Sequence, residues 1–244
     1  MVHPYFNPAQ AADFNALAAK TDSSFDLKYF GFHGLAGNCR TLLALSGAKF
    51  TSSVPEDWAS EKPDAPFGVM PLLTETSADG KTTIHIAESD AIERYLARKF
   101  GFLGKDAFEE VLVNTFVSHD QFLISQIFAK YLINKDPEVK AANKESLITN
   151  NIVPWIKYHE QHLQANGANG HYVGDKTSLA DVKTELVIRL IQSMSGEDLV
   201  SESKTPAIWE VLTQLNKVEG LAAWKKTEVY KTFSEKNFAG IGFY

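Results

Sequence analysis

The stretch that most constrains this chain is Pro66-Phe67-Gly68-Val69-Met70-Pro71-Leu72-Leu73, because Glu88-Ser89-Asp90-Ala91-Ile92 begins seventeen residues after Pro71. A proline cannot donate to a sheet ladder, so Pro71 predicts the opening of a strand rather than its middle. Residues 72–76 and 82–86 flank Ser77-Ala78-Asp79-Gly80, a hairpin signal between two apolar-alternating runs. Ser89 then opens a helix carrying Ala91, Ile92, Tyr95 and Leu96 at helical spacing. Loop, strand, hairpin and helix start, in that order, bring two sets of polar groups to one edge of a small sheet. The arrangement suits a short peptide held by its backbone and its carboxylate.

The flanking segments complete a unit. Residues 27–30 predict a first strand, Gly31 to Gly37 a glycine-rich loop, and Asn38 an N-cap for a helix carrying Cys39, Leu42, Leu43 and Leu45. Residues 48–53 predict a second strand, followed by a polar loop over 54–66. The order is β-α-β-loop-β-β-α, an α/β unit with a mixed four-stranded sheet. Beyond Gly101 the texture turns helical: residues 107–132, then 144–164 with Pro154 as a kink or break, then a run opened by the capping box Ser178-Leu179-Ala180-Asp181. Two short helices are predicted at 206–217 and 221–227. The predicted organisation is an N-terminal extension over 1–25, an α/β domain over 26–103 and an all-helical domain over 104–244.

At 244 residues the chain has room for such a pair of domains. A net charge of −6 argues against a nucleic-acid partner, which needs a basic surface. No apolar run reaches the length of a membrane span, and the first residues lack the basic start and apolar core of a secretory signal. The single Cys39 gives no sign of an oxidising compartment, so a cytoplasmic location is expected.

Four blocks, in order, resemble the soluble glutathione transferases: Tyr29-Phe30-Gly31-Phe32-His33-Gly34; Phe67-Gly68-Val69-Met70-Pro71; the run from Glu88 to Ala97; and the run from Gly174 to Asp181. The resemblance covers about residues 27–230 and is greatest to the sigma, mu, alpha and pi group, which use a tyrosine. It implies a thioredoxin-like domain followed by an all-helical one, glutathione as cosubstrate, a small-molecule electrophile, a homodimer and no metal.

By this resemblance Tyr29 is the catalytic residue; taken alone it is an ordinary strand aromatic. A thiol is mostly protonated at neutral pH. Lowering its pKa by two units requires about 2.7 kcal/mol of differential stabilisation, within reach of one hydroxyl donor and a nearby helix N-terminus. Serine-type members place their serine four residues before the arginine of a Cys-Arg pair; here that position is Ala36. Omega-like members use a cysteine near the position of His33. Cys39 reads as a buried core thiol. Tyrosine-type members often carry arginine near positions 33 and 35, where this chain has His33 and Leu35, so electrostatic help for the thiolate is weaker here or comes from elsewhere.

The resemblance makes Pro71 a cis-proline, with the Met70 backbone pairing the cysteinyl backbone of glutathione like an added strand. Val69 stands where glutamine is common. Ser89 and the helix N-terminus receive the γ-glutamyl carboxylate, and Glu88 faces the α-amino group. Trp58 and Lys62 reach the glycyl end. Phe67 is the anchor that enters a partner subunit. Phe32 and Leu35, with Phe128, Tyr131 and Leu132, are candidates for an electrophile pocket, and residues 238–244 for a lid. Asp120 reads as part of a solvated helix face. Two further readings stay open: a glutathione-dependent isomerase or peroxidase, and a non-enzymatic relative that keeps the fold.

Overall fold

The structure, a computed structural model, describes residues 3–195 and 199–235. The chain forms two compact units: residues 3–102 with 219–235, and residues 103–195 with 199–218. The residues considered as a lid, 238–244, lie outside the described residues.

The first unit is built on four strands, β1 (Ser24–Lys28), β2 (Lys49–Thr51), β3 (Leu72–Thr76) and β4 (Thr83–Ala87), ordered β2-β1-β3-β4. β1 pairs with β2 in parallel, and the other two pairings are antiparallel. This is the expected mixed sheet. Period-two alternation turns Phe25, Leu27, Leu73 and Ile84 into the core. Helix α2 (Gly37–Leu45) buries almost every side chain, and α4 (Ser89–Phe100) packs beside it through Ile92, Leu96 and Ala97. Asn38 is not the cap expected of it. A single tight turn, Gly34–Ala36, leads directly into α2, and the buried Asn38 amide donates to Glu93 Oε1 at 3.2 Å instead.

The alternation of β3 also carries Glu75 to the core face, where it is fully buried. α4 answers it. Lys99 Nζ lies 2.9 Å from Glu75 Oε1, both side chains are fully buried, and the Tyr95 hydroxyl donates to Glu75 Oε2. Lys99 also donates to the Leu17 carbonyl at 2.6 Å, which ties the N-terminal extension to the sheet. That extension is two tight turns, Pro4–Phe6 and Pro8–Gln10, and the helix α1 (Ala11–Ala18). Its rings are placed one by one: Tyr5 on His85, Phe6 on Phe67 and Phe14 on Tyr95.

At the other end of the chain, α10 (Glu219–Lys225) and α11 (Glu228–Glu235) belong to this unit and not to the helical one anticipated for residues 104–244. Leu221 is fully buried, Trp224 stands edge-on to Phe50, and Gly220 comes so close to the Ala44 carbonyl that a Cβ would collide with it.

In the second unit, α5 (Ala107–Ile127), α6 (Pro137–Leu147), α7 (Val153–Ala165) and α9 (Pro206–Lys217) accompany α8 (Leu179–Ser195), which is buried along nearly its whole length. The capping box before α8 is present: Ser178 N–H donates to Asp181 Oδ2 at 2.7 Å, and Tyr172 N–H donates to Asp181 Oδ1 at 2.9 Å. Wider π-type turns follow α5 at Phe128–Leu132 and α6 at Ile148–Ile152. Pro154 lies in the first turn of α7, where its missing N–H leaves no intrahelical partner unmet. Among the described residues no helix is long and apolar enough to cross a membrane.

Removing Lys99 leaves a buried carboxylate without its cation, which costs about 3–5 kcal/mol. Lys99→Met is therefore expected to lower the urea midpoint of the first unit strongly. Lys99→Met with Glu75→Gln recovers most of the loss, because a neutral amide can still accept from Tyr95.

Candidate functional site

The register of β3 assembles the candidate site. Leu72 pairs with Lys28 on one side and with Ala87 on the other. The next residue outward on each strand is Tyr29, Pro71 and Glu88. Tyr29, the Met70–Pro71 peptide and the start of α4 at Ser89 thus leave the sheet at the same end, on three adjacent strands. Tyr29 N–H donates to the Ser53 carbonyl at 3.1 Å, which brings the end of β2 to the same edge.

Tyr29 is almost fully buried, between the rings of Phe30 and Phe32. Its hydroxyl accepts from Leu35 N–H at 3.3 Å. Burial pushes the phenol up to about 12, while the Leu35 N–H and the Arg40 charge pull the other way. At neutral pH the group is a neutral hydroxyl, and among the described residues nothing accepts its hydrogen. Gly34 makes the geometry possible: at φ 41°, a Cβ there would stand 2.8 Å from the Tyr29 hydroxyl and 2.6 Å from the Phe32 ring.

The Met70–Pro71 peptide is cis, as the resemblance implies, and Met70 is nearly buried. Neither its N–H nor its C=O has a hydrogen-bond partner among the described residues. Val69 beside it is exposed. Glu88 is an exposed non-glycine residue at φ 72°, a conformation that costs about 1–3 kcal/mol and clusters at ligand sites. Ser89 follows as the first residue of α4, and its carbonyl accepts from the buried Cys39 thiol at 3.9 Å. Cys39 is thus a core thiol linking α2 to the start of α4.

Trp58 and Lys62 sit on a short helix, α3 (Trp58–Glu61), and the turn after it. Lys28 Nζ, at the end of β1, pairs with Glu61 at 2.7 Å and holds α3 beside Tyr29's strand. Trp58 stands edge-on to Phe30, and the exposed Lys62 runs across Gly68, with its Cε 3.4 Å from where a Gly68 side chain would begin. All the residues expected to touch a glutathione-like peptide are therefore in the first unit. Phe67 is three-fifths exposed and carries Phe6 on one face.

The candidate electrophile residues divide between the units. The buried Phe32 and half-buried Leu35 belong to the first. Half-buried Phe128, Tyr131 and Leu132 form the π-type turn after α5 in the second, where Lys140 lies over the Tyr131 ring.

Asp120 corrects the sequence reading. It is fully buried, not part of a solvated face. Trp155 Nε1 donates to Oδ1 at 2.8 Å, Thr184 Oγ1 donates to Oδ2 at 3.0 Å, and His159 Nε2 is 3.6 Å from Oδ1. His159 continues the network to the Tyr172 hydroxyl and His119. Burial pushes Asp120 up to about 7 and holds His159 well below its ordinary range. The partners come from α7 and α8, so no local signal around residue 120 announces them. Arg40 was likewise invisible beyond its place in the Cys39-Arg40 pair. It is fully buried, with Nη1 2.8 Å from the Phe32 carbonyl and Nε 3.1 Å from Ser52 Oγ.

A thioredoxin-like unit with a tyrosine, a cis-proline and a serine at a helix start on one sheet edge, followed by a helical unit, defines the architecture of the cytosolic glutathione transferases. Comparison with known proteins agrees. The glutathione S-transferase C-terminal domain family matches residues 124–228. A probable glutathione S-transferase 7 of Caenorhabditis elegans is 30% identical over 163 residues, covering 65% of this chain and 75% of that protein. The hematopoietic prostaglandin D synthase of Gallus gallus is 30% identical over 204 residues, covering 82% and 94%. The solved sigma class transferase of Fasciola hepatica superposes with a TM-score of 0.72 at 27% identity, covering 84% of this chain and 96% of that one. The chain belongs to the cytosolic glutathione S-transferase family, with sigma- and pi-like relatives.

The Asp120 network sets a pH dependence. The folded state keeps the Asp120 proton to about pH 7, whereas the unfolded chain releases it near pH 3.8. Between those values the unfolded state binds fewer protons at this site, so its contribution to stability falls as pH rises. Asp120→Asn removes this term. Its melting temperature relative to wild type is expected to climb from pH 4 to pH 7 and stay level above, as calorimetry across pH would show.

Proposed function

We propose that the chain is a glutathione transferase that conjugates the thiolate of glutathione to an apolar electrophile. The observation that carries this reading is the Tyr29 hydroxyl: buried, neutral at pH 7, and fed by the Leu35 N–H so that its own hydrogen is free to donate to a sulfur. Glutathione lies along the sheet edge. Its cysteinyl backbone pairs with the unpartnered N–H and C=O of Met70, before Pro71, with Val69 alongside. Its γ-glutamyl carboxylate meets the Ser89 hydroxyl and the first N–H groups of α4, and Glu88 takes the α-amino group. Lys62 and Trp58 hold the glycyl end.

Held this way, the sulfur faces Tyr29. The hydroxyl stabilises the thiolate more than the thiol, so the proton leaves at a pH below the ordinary range near 8.5. The thiolate attacks an electrophilic carbon, and a C–S bond forms as charge moves onto the electrophile. Proximity supplies the remainder of the rate. Phe32 and Leu35 offer apolar surface for the electrophile on the first unit. No metal takes part in this reading, and the location is the cytoplasm. A second reading, a glutathione-dependent isomerase or peroxidase on the same site, draws support from the relative named a prostaglandin D synthase, a name that describes no conjugation.

Ultraviolet difference spectroscopy with glutathione across pH tests the central claim. A thiolate band near neutral pH is expected in the wild type, retreating by about two units in Tyr29→Phe. Binding without such a band would instead mark a non-enzymatic relative. We further propose that Phe67 anchors a twofold homodimer, since a large exposed aromatic is the kind of residue that dominates an interface. Phe67→Ala is expected to sediment as a monomer at low micromolar concentration where the wild type is a dimer.

A further inference from the structure

Arg40 is a buried cation with no carboxylate partner among the described residues. Its guanidinium is held by the Phe32 and His33 carbonyls and by Ser52 Oγ, and Nη2 has no hydrogen-bond partner. Two rings flank it: Phe233 of α11, 4.5 Å from Cζ, and Tyr29, 5.9 Å from Cζ. Burying a cation without a counter-charge is expensive, and carbonyls and ring faces repay only part of it.

The loop that carries these carbonyls is itself pinned from the C-terminal side. His33 Nε2 is hydrogen-bonded to Ser234 Oγ at 3.0 Å, and the His33 ring lies 4.6 Å from that of Tyr230. Resting on the transferase reading above, we propose that Arg40 is the cation that stabilises the glutathione thiolate at Tyr29, and that Phe233 and Ser234 of α11 are positioning residues that hold Arg40 and the 31–35 loop in place for it. The groups facing Arg40 are Tyr29, Cys39, the Phe32 and His33 carbonyls, Ser52 Oγ and Phe233, and none of them is a carboxylate. Burial draws Arg40 down to about 10, so it keeps its charge at neutral pH. The charge lies 5.9 Å from the centre of the Tyr29 ring, and Leu35 carries none.

The test is the thiol pKa of glutathione bound to the full chain, read from the ultraviolet thiolate band, beside its dissociation constant from calorimetry. Arg40→Met is expected to raise that pKa by about one unit or more, the effect of losing an opposite charge at this range. Phe233→Leu and Ser234→Ala shift it in the same direction by a smaller amount, with the affinity for glutathione changed less than twofold, and Phe233→Tyr restores the wild-type value. A merely structural role for α11 would weaken binding and leave the thiol pKa of the bound fraction where it was. Phe233→Leu keeps the test sharp if Arg40→Met does not fold. If Tyr29→Phe moves the band while Arg40→Met and Phe233→Leu leave it unmoved, the inference is overturned and the transferase reading stands. If wild type shows no band near neutral pH, the transferase reading itself fails.

Discussion

The pairing of Leu72 with Lys28 and Ala87 is the constraint on which the rest depends. It fixes which side chains of β3 enter the core, and in the same stroke it lines up Tyr29, Pro71 and Glu88 at one edge. A slip of one residue would invert every side chain on the strand. Glu75 would move to the opposite face, away from Lys99, and Thr74 and Thr76 would take core positions. The hydrogen bonds that make the sheet are therefore the ones that make the candidate site, and the buried Glu75–Lys99 pair makes the correct register the one with matched charge.

The chain handles buried charge in three ways. Glu75 is paired with a lysine and accepts from a tyrosine. Asp120 is surrounded by neutral donors, and burial favours its protonated form. Arg40 stays charged, with carbonyls and ring faces for company. In the first the charge is matched by an opposite charge, and in the second burial removes it. The third is incomplete, and it lies against Tyr29, whose hydroxyl hydrogen has no acceptor among the described residues. A buried cation short of a partner, beside a hydroxyl hydrogen that is free to donate, is what a site for an anion requires.

Most of the first unit was legible because its signals are local. The Ser77–Gly80 turn, the alternation of residues 72–76 and the start of α4 at Ser89 each lie within a few residues of sequence, and the structure has them there. The capping box at Ser178 and Asp181 is local too. What escaped was long-range. Asp120 sits between His119 and Gln121 and reads as polar surface, while its donors stand 35 and 64 residues away. Residues 221–227 read as a short helix, but periodicity says nothing about which neighbour a helix chooses, and α11 after it went unread. Asn38 has a cap's chemistry, yet the turn at Gly34–Ala36 feeds the chain into α2 with no place for one.

In the N-terminal extension the weak periodicity of Phe14, Leu17 and Ala18 marks the one short helix, α1, but not where it docks, and the docking has a consequence. Its firmest tie is the Lys99 ammonium on the main-chain carbonyl of Leu17. That grip ignores side-chain identity. The extension can thus exchange most of its residues and keep its seat, provided the chain reaches position 17 with its carbonyl turned inward. Through Phe6 on Phe67 and His3 on the Asp64 carbonyl, the same segment also reaches the loop that leads to Met70. The extension works as a brace, clamped at one end by charge and resting at the other on the threshold of the peptide-holding edge.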